Sequence, residues 1–153
     1  MRSTSIGASS DPVQRLLSAV TAASMFVVAC GSGGPQAGDA LATGRRIYSD
    51  MCSTCHLSDG SGGSLAEPLI GVLETFPSCG EHIRWVTLGS ARWQKEVGPA
   101  YGATDKVIDR VMPGWGQTLS AEEIAQVAAF ERVRYGGGDE EAVMADCGVD
   151  SRE

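Results

Sequence analysis

Two thiols and an imidazole stand close together in the run Cys52-Ser53-Thr54-Cys55-His56. In a C-x-x-C-H run the two thiols can meet the two vinyl groups of one porphyrin while the next residue turns its imidazole towards the iron. The stretch therefore reads as a covalent c-type haem attachment site. Two other chemistries use a pair of cysteines at this spacing. Half of a zinc site needs two more ligands, for which Cys79 and His82 are the candidates, and a thioredoxin-like redox pair needs a strand-helix-strand setting that is not evident nearby.

The surrounding sequence supplies elements that could position these groups. Leu41, Gly44, Ile47, Tyr48 and Met51 recur at helical spacing, which predicts a helix running into the Cys52 motif with Asp39 as its N-cap. Residues 57–64 have loop composition. They contain Gly60-Ser61-Gly62, but Leu65 leaves the dinucleotide-binding G-x-G-x-x-G incomplete and no strand precedes it. After a return over residues 69–77, a short helix is expected over 79–88, with Trp85 and Val86 inward and Gly89 ending it.

Residues 90–104 show no clear period and read as a loop; its Trp93 and Tyr101 either cover a cofactor edge or simply pack. Arg92 in the same stretch is either a propionate partner or a solvated surface residue. A helical turn is expected over 107–112, stopped by Pro113. Ser120-Ala121-Glu122-Glu123 has the form of a capping box, so a helix should follow to about Tyr135. Ile124, Val127, Ala128 and Tyr135 mark its buried face, Phe130 and Val133 widen it, and Gly136-Gly137-Gly138 ends it. The acidic residues 139–153 read as a solvated tail.

Gly44, Tyr48, Cys52, Cys55, His56, Asp59, Gly60, Gly62, Pro68, Leu69 and Gly71 together resemble the first half of a class I bacterial cytochrome c. The resemblance covers residues 39–136 and implies an all-α fold whose helices pack around one covalently attached haem c. It implies that the Pro68 carbonyl accepts a hydrogen bond from His56, fixing the imidazole tautomer and aiming Nε2 at the iron. It also implies that Gly44 of the first helix meets Phe130 of the last.

Met112-Pro113-Gly114-Trp115 resembles the family's distal-ligand loop, which makes Met112 the second iron ligand beside His56. His/Met ligation is associated with a raised haem potential and suits reversible one-electron transfer. Of the other candidates, Met1 and Met25 fall in a signal segment, Met51 adjoins Cys52, and Met144 lies in the acidic tail. His82 is the remaining rival.

Four regions are expected: a signal peptide (1–29), a flexible tether (30–38), the cytochrome domain (39–136) and the tail (137–153). Arg2 and Arg15 precede the apolar run 16–29, which is shorter than the roughly 20 residues needed to span a bilayer. Val27-Val28-Ala29-Cys30 resembles the lipobox of bacterial lipoproteins, so Cys30 is the expected lipid anchor, and the glycine-rich tether would let the domain stand off the membrane. Export leaves Cys79 and Cys147 as spare thiols in an oxidising compartment. They are expected to pair, the alternative being two buried free thiols.

The formal net charge of −7 argues against nucleic-acid binding and favours redox partners with basic docking faces. With Lys95 and Lys106 as its only lysines, the chain cannot present the lysine ring of mitochondrial-type cytochromes. The expected role is an exported, periplasmic or extracytoplasmic electron carrier of a respiratory chain, not an enzyme and without a small-molecule substrate. The alternatives are a haem subunit of a larger membrane oxidoreductase and, from another class, a ligand sensor or peroxidase-like protein with an open iron position.

Overall fold

The computed structural model describes residues 37–149; the expected signal peptide 1–29 and the expected lipidation at Cys30 fall outside the described residues. Helix α1 (Ala37–Ile47) starts two residues before Asp39, so Asp39 lies inside the helix, not at its cap, and the last two residues of the expected tether, 37 and 38, are helical. Its path continues through a π-helical stretch, Tyr48–Cys52, into the short helix α2 (Ser53–His56). The wider π turn leads into the Cys52–His56 motif, and such turns are frequent at functional sites. Ser53 Oγ donates to the Ser49 carbonyl, 2.7 Å away, across this stretch.

After α2 the chain forms the glycine-rich loop, then the single turn α3 (Val72–Thr75), then α4 (Cys79–Glu96). Ser78 caps α4, its side chain accepting from the Glu81 amide. Gly89 does interrupt this helix, at φ 67° and ψ 175°, but helix resumes beyond it as far as Glu96. The loop expected from residue 90 is therefore helical at first. The reason is tertiary: a loop from later in the chain takes up the backbone groups freed at Gly89.

The helical turn expected over 107–112 is absent. That segment is extended, with Val107 bridged to Ala100 and the Ile108 amide donating to the Pro99 carbonyl. Helix α5 (Ala121–Arg134) carries the expected capping box, Ser120 accepting from the Glu123 amide and the Glu123 carboxylate accepting from the Ser120 amide. Tyr135 closes it ahead of the glycines.

Where α1 meets α5, a Cβ at Gly44 would fall 2.1 Å from the Gln126 carbonyl oxygen and 2.8 Å from the Phe130 Cβ, so only glycine allows this approach. A cluster of Phe76, Trp85, Trp93 and Tyr101 fills the space under α4, with ring centroids 5.3–5.8 Å apart. Trp93 is thus a packing residue, its indole donating to the Ala100 carbonyl at 3.0 Å, whereas Tyr101 both packs in this cluster and lines the cavity described below. Arg92 pairs on the surface with Glu96.

The solvated tail is corrected. Residues Glu140–Cys147 form helix α6, capped by Asp139, which buries Val143, Met144 and Cys147 against α4 and α5. Cys79 and Cys147 are joined by a disulfide that pins α6 to the start of α4. Arg132 reinforces that corner from α5, donating to the Phe76 and Pro77 carbonyls at 2.7 and 3.0 Å and reaching Asp146 at 3.4 Å. The described residues are helical, with no strand among them, as the sequence predicts.

Candidate haem-binding site

A cavity of about 180 Å³ opens between α2, α4, α5 and the segment that carries Met112. Cys52, Cys55 and His56 line it together, and both cysteines are free thiols. Burial, with smaller contributions from Glu131 and Cys55, pushes the Cys52 thiol well above its usual range. A thiol held protonated is a poor nucleophile for disulfide exchange, the opposite of what a thioredoxin-like pair requires. The zinc reading also fails, because Cys79 is in the disulfide and His82 is paired with Glu131. Among the described residues no group of three or more His, Cys, Asp or Glu side chains could hold a metal ion.

His56 Nδ1 lies 3.1 Å from the Glu67 carbonyl oxygen. A carbonyl can only accept, so Nδ1 carries the hydrogen and Nε2 keeps its lone pair for a metal. The acceptor expected at Pro68 is therefore one residue earlier. Proline pushes the preceding residue into extended geometry, and the neighbouring bond from the Leu69 amide to the Gly60 carbonyl anchors the loop at 2.8 Å. Pro68 itself is a wall of the cavity.

The turn that presents His56 ends abruptly. Leu57 has φ 63° and ψ 163°, a backbone region that is essentially restricted to glycine, and the Tyr48 hydroxyl donates to its carbonyl at 2.5 Å. The Gly62 amide donates to the His56 carbonyl at 3.0 Å. These bonds hold an otherwise unfavourable conformation directly after the imidazole.

Met112 comes from a separate segment that is fastened to the break in α4. The Ser90 amide donates to the Met112 carbonyl at 2.9 Å, and the Met112 amide donates to Ser90 Oγ at 3.1 Å. The Trp115 and Gly116 amides donate to the Val86 and Thr87 carbonyls, which the break leaves without their helical partners. Backbones touch here: a Cβ on Gly89 would lie 2.3 Å from the Gly114 amide nitrogen and 2.6 Å from the Met112 carbonyl oxygen. Glu67 also ties the two sides of the cavity mouth, its carboxylate pairing with Lys106 and, at 2.8 Å, with Arg110 Nε.

A family model described as "Cytochrome C oxidase, cbb3-type, subunit III" matches residues 39–130, well over half of the chain. The chain belongs to this family. It is a class I c-type cytochrome, and the family implies a covalently bound haem c with its iron. No curated protein matches the chain. Among solved structures it is similar to the c-type cytochrome XoxG from Methylobacterium extorquens AM1, at 21% identity and a TM-score of 0.46, over 71% of this chain and 67% of that one.

The residues of the cavity fit that cofactor. Two free thiols at the C-x-x-C spacing, an imidazole with its outer nitrogen committed to a carbonyl, and a buttressed methionine all border one largely apolar space. Three features of the site escaped the sequence reading: the Glu67 carbonyl and carboxylate, the strain at Leu57, and the buried pair His82–Glu131. Only the last left a signal. Glu131 follows Ile124, Val127 and Ala128 at helical spacing, so it falls on the buried face of α5.

Proposed function

We propose that the cytochrome holds one haem through thioether bonds from Cys52 and Cys55, with His56 and Met112 on the iron, and carries electrons between extracytoplasmic redox proteins of a respiratory chain. The observation that supports this best is the fastening of Met112 to the α4 break by reciprocal hydrogen bonds with Ser90, which makes it a fixed donor on the cavity wall. When bound, the haem supplies a reversible one-electron couple. The protein's own residues would orient the imidazole through the Glu67 carbonyl, surround the cofactor with apolar walls, and offer His56 Nε2 and the Met112 sulfur as iron ligands, leaving no position for a substrate.

Lipidation at Cys30 would keep the domain at a membrane surface, its partners presenting basic faces to this acidic protein. Among the described residues no helix is long and apolar enough to cross a membrane. A second reading follows from the family's name: the chain serves as a haem subunit in an oxidase complex.

The test is production of the full chain in an exporting host that matures c-type cytochromes. The mass should rise by one haem, the loaded protein should show a reversible one-electron wave, and peroxide or oxygen should add no catalytic current. A catalytic current would overturn the carrier reading, whereas co-purification with a stable oxidase would establish the subunit reading.

A further inference from the structure

His82 and Glu131 form an ionisable pair in the wall of the same cavity. His82 Nε2 lies 3.1 Å from Glu131 Oε2, and the two residues are 2% and 4% exposed. The imidazole stacks on Phe76 with ring centroids 5.4 Å apart and planes 5° from parallel. Its Nδ1 is buried with no hydrogen-bond partner in the protein. An orphaned basic nitrogen beside a carboxylate is costly if it serves packing alone, since an apolar pair of similar volume would do as well or better.

The geometry points to a proton-binding site coupled to the haem: the pair takes up one proton when the iron is reduced and releases it on oxidation. This rests on the haem-carrier reading above. The pair and the Cys52 and Cys55 thiols line the same cavity. One electron arriving from a redox protein takes the iron from ferric to ferrous and removes one positive charge from the cavity. One proton from solvent then joins the pair, and both leave on reoxidation. In a poorly solvated interior such charges interact far more strongly than in water, so the two events are linked.

The other groups facing the pair are already engaged. Arg132, next to Glu131, is held by the Phe76 and Pro77 carbonyls and Asp146, and Asp146 also accepts from the Cys79 amide. Tyr48 donates to Leu57 and Tyr135 to Ser58, while burial holds both phenols above their usual range. Glu81, adjoining His82, is exposed at the Ser78 cap, and the Cys52 thiol is consumed when the haem is attached. His82 and Glu131 are thus the ionisable pair of this wall held only by each other.

The experiment is a spectroelectrochemical titration of the haem-loaded full chain from about pH 5 to about pH 9, bracketing the range in which histidine titrates. The midpoint potential of the unaltered protein should fall as pH rises over part of this range, with a limiting slope of about 59 mV per tenfold change in proton activity. The double variant His82→Leu/Glu131→Leu, which replaces the pair with apolar volume, should lose that segment and keep only the weaker dependence from exposed groups. Glu131→Gln preserves shape and a hydrogen-bond partner and should move the segment along the pH axis; it decides the matter should the double variant not fold. Curves that coincide for the unaltered protein and the variants would overturn the coupling. Loss of any reversible couple in the unaltered protein would instead overturn the haem-carrier reading on which it rests.

Discussion

His56 is held by two neighbours of opposite character. The Glu67 carbonyl fixes its tautomer through a bond any backbone could make, whereas Leu57 holds a conformation that any side chain resists. Such strain costs about 1–3 kcal/mol. Leu57 is half-exposed and loses little packing on truncation, and glycine adds at most about 1 kcal/mol of unfolded-chain freedom. Leu57→Gly should therefore leave the haem-loaded protein as stable or up to about 2 kcal/mol more stable in urea; a loss beyond about 1 kcal/mol would contradict the strain. At this scale the C-x-x-C-H motif was legible because its chemistry is local, whereas Met112 was singled out only through the resemblance of its loop to the family's. Glu67 was not, because which carbonyl meets the imidazole depends on the path of the 57–71 loop, and that path is set by contacts such as Leu69 with Gly60.

Helix α4 shows how one residue's backbone shapes an element. The break at Gly89 frees the carbonyls and amide that receive the Met112 segment, so the bend and that segment form a single unit. Gly89→Ala would combine a positive φ with a clash against the Met112 carbonyl, at a cost of about 1–3 kcal/mol. The expected outcome is a protein that still binds haem covalently but loses the methionine–iron signature in its ferric spectrum; an unchanged spectrum would contradict the role given to the break. The α5 boundaries were legible because a capping box and a glycine run are local signals. The second half of α4 was not, since its helix resumes only because the Met112 segment packs there. Helix α6 was hidden by its acids, although Val143, Met144 and Cys147 carry helical spacing on the side that packs.

Over the whole molecule, the ends of the domain are brought together twice, by the α1–α5 contact at Gly44 and by the disulfide that spans 68 residues from α4 to α6. A loop of that size is worth about 4 kcal/mol in the chain-entropy model, which reinforces a small core built partly around a cofactor. The frame leaves one apolar cavity with thiols, imidazole and thioether on its walls, and that arrangement is the basis of the carrier reading. Its most direct test is the optical spectrum of the haem-loaded protein. A weak long-wavelength band from methionine sulfur on ferric iron, with a ferrous spectrum that carbon monoxide leaves unchanged, is the predicted result. A high-spin ferric spectrum without that band, together with carbon monoxide binding, would show an open iron and contradict the account.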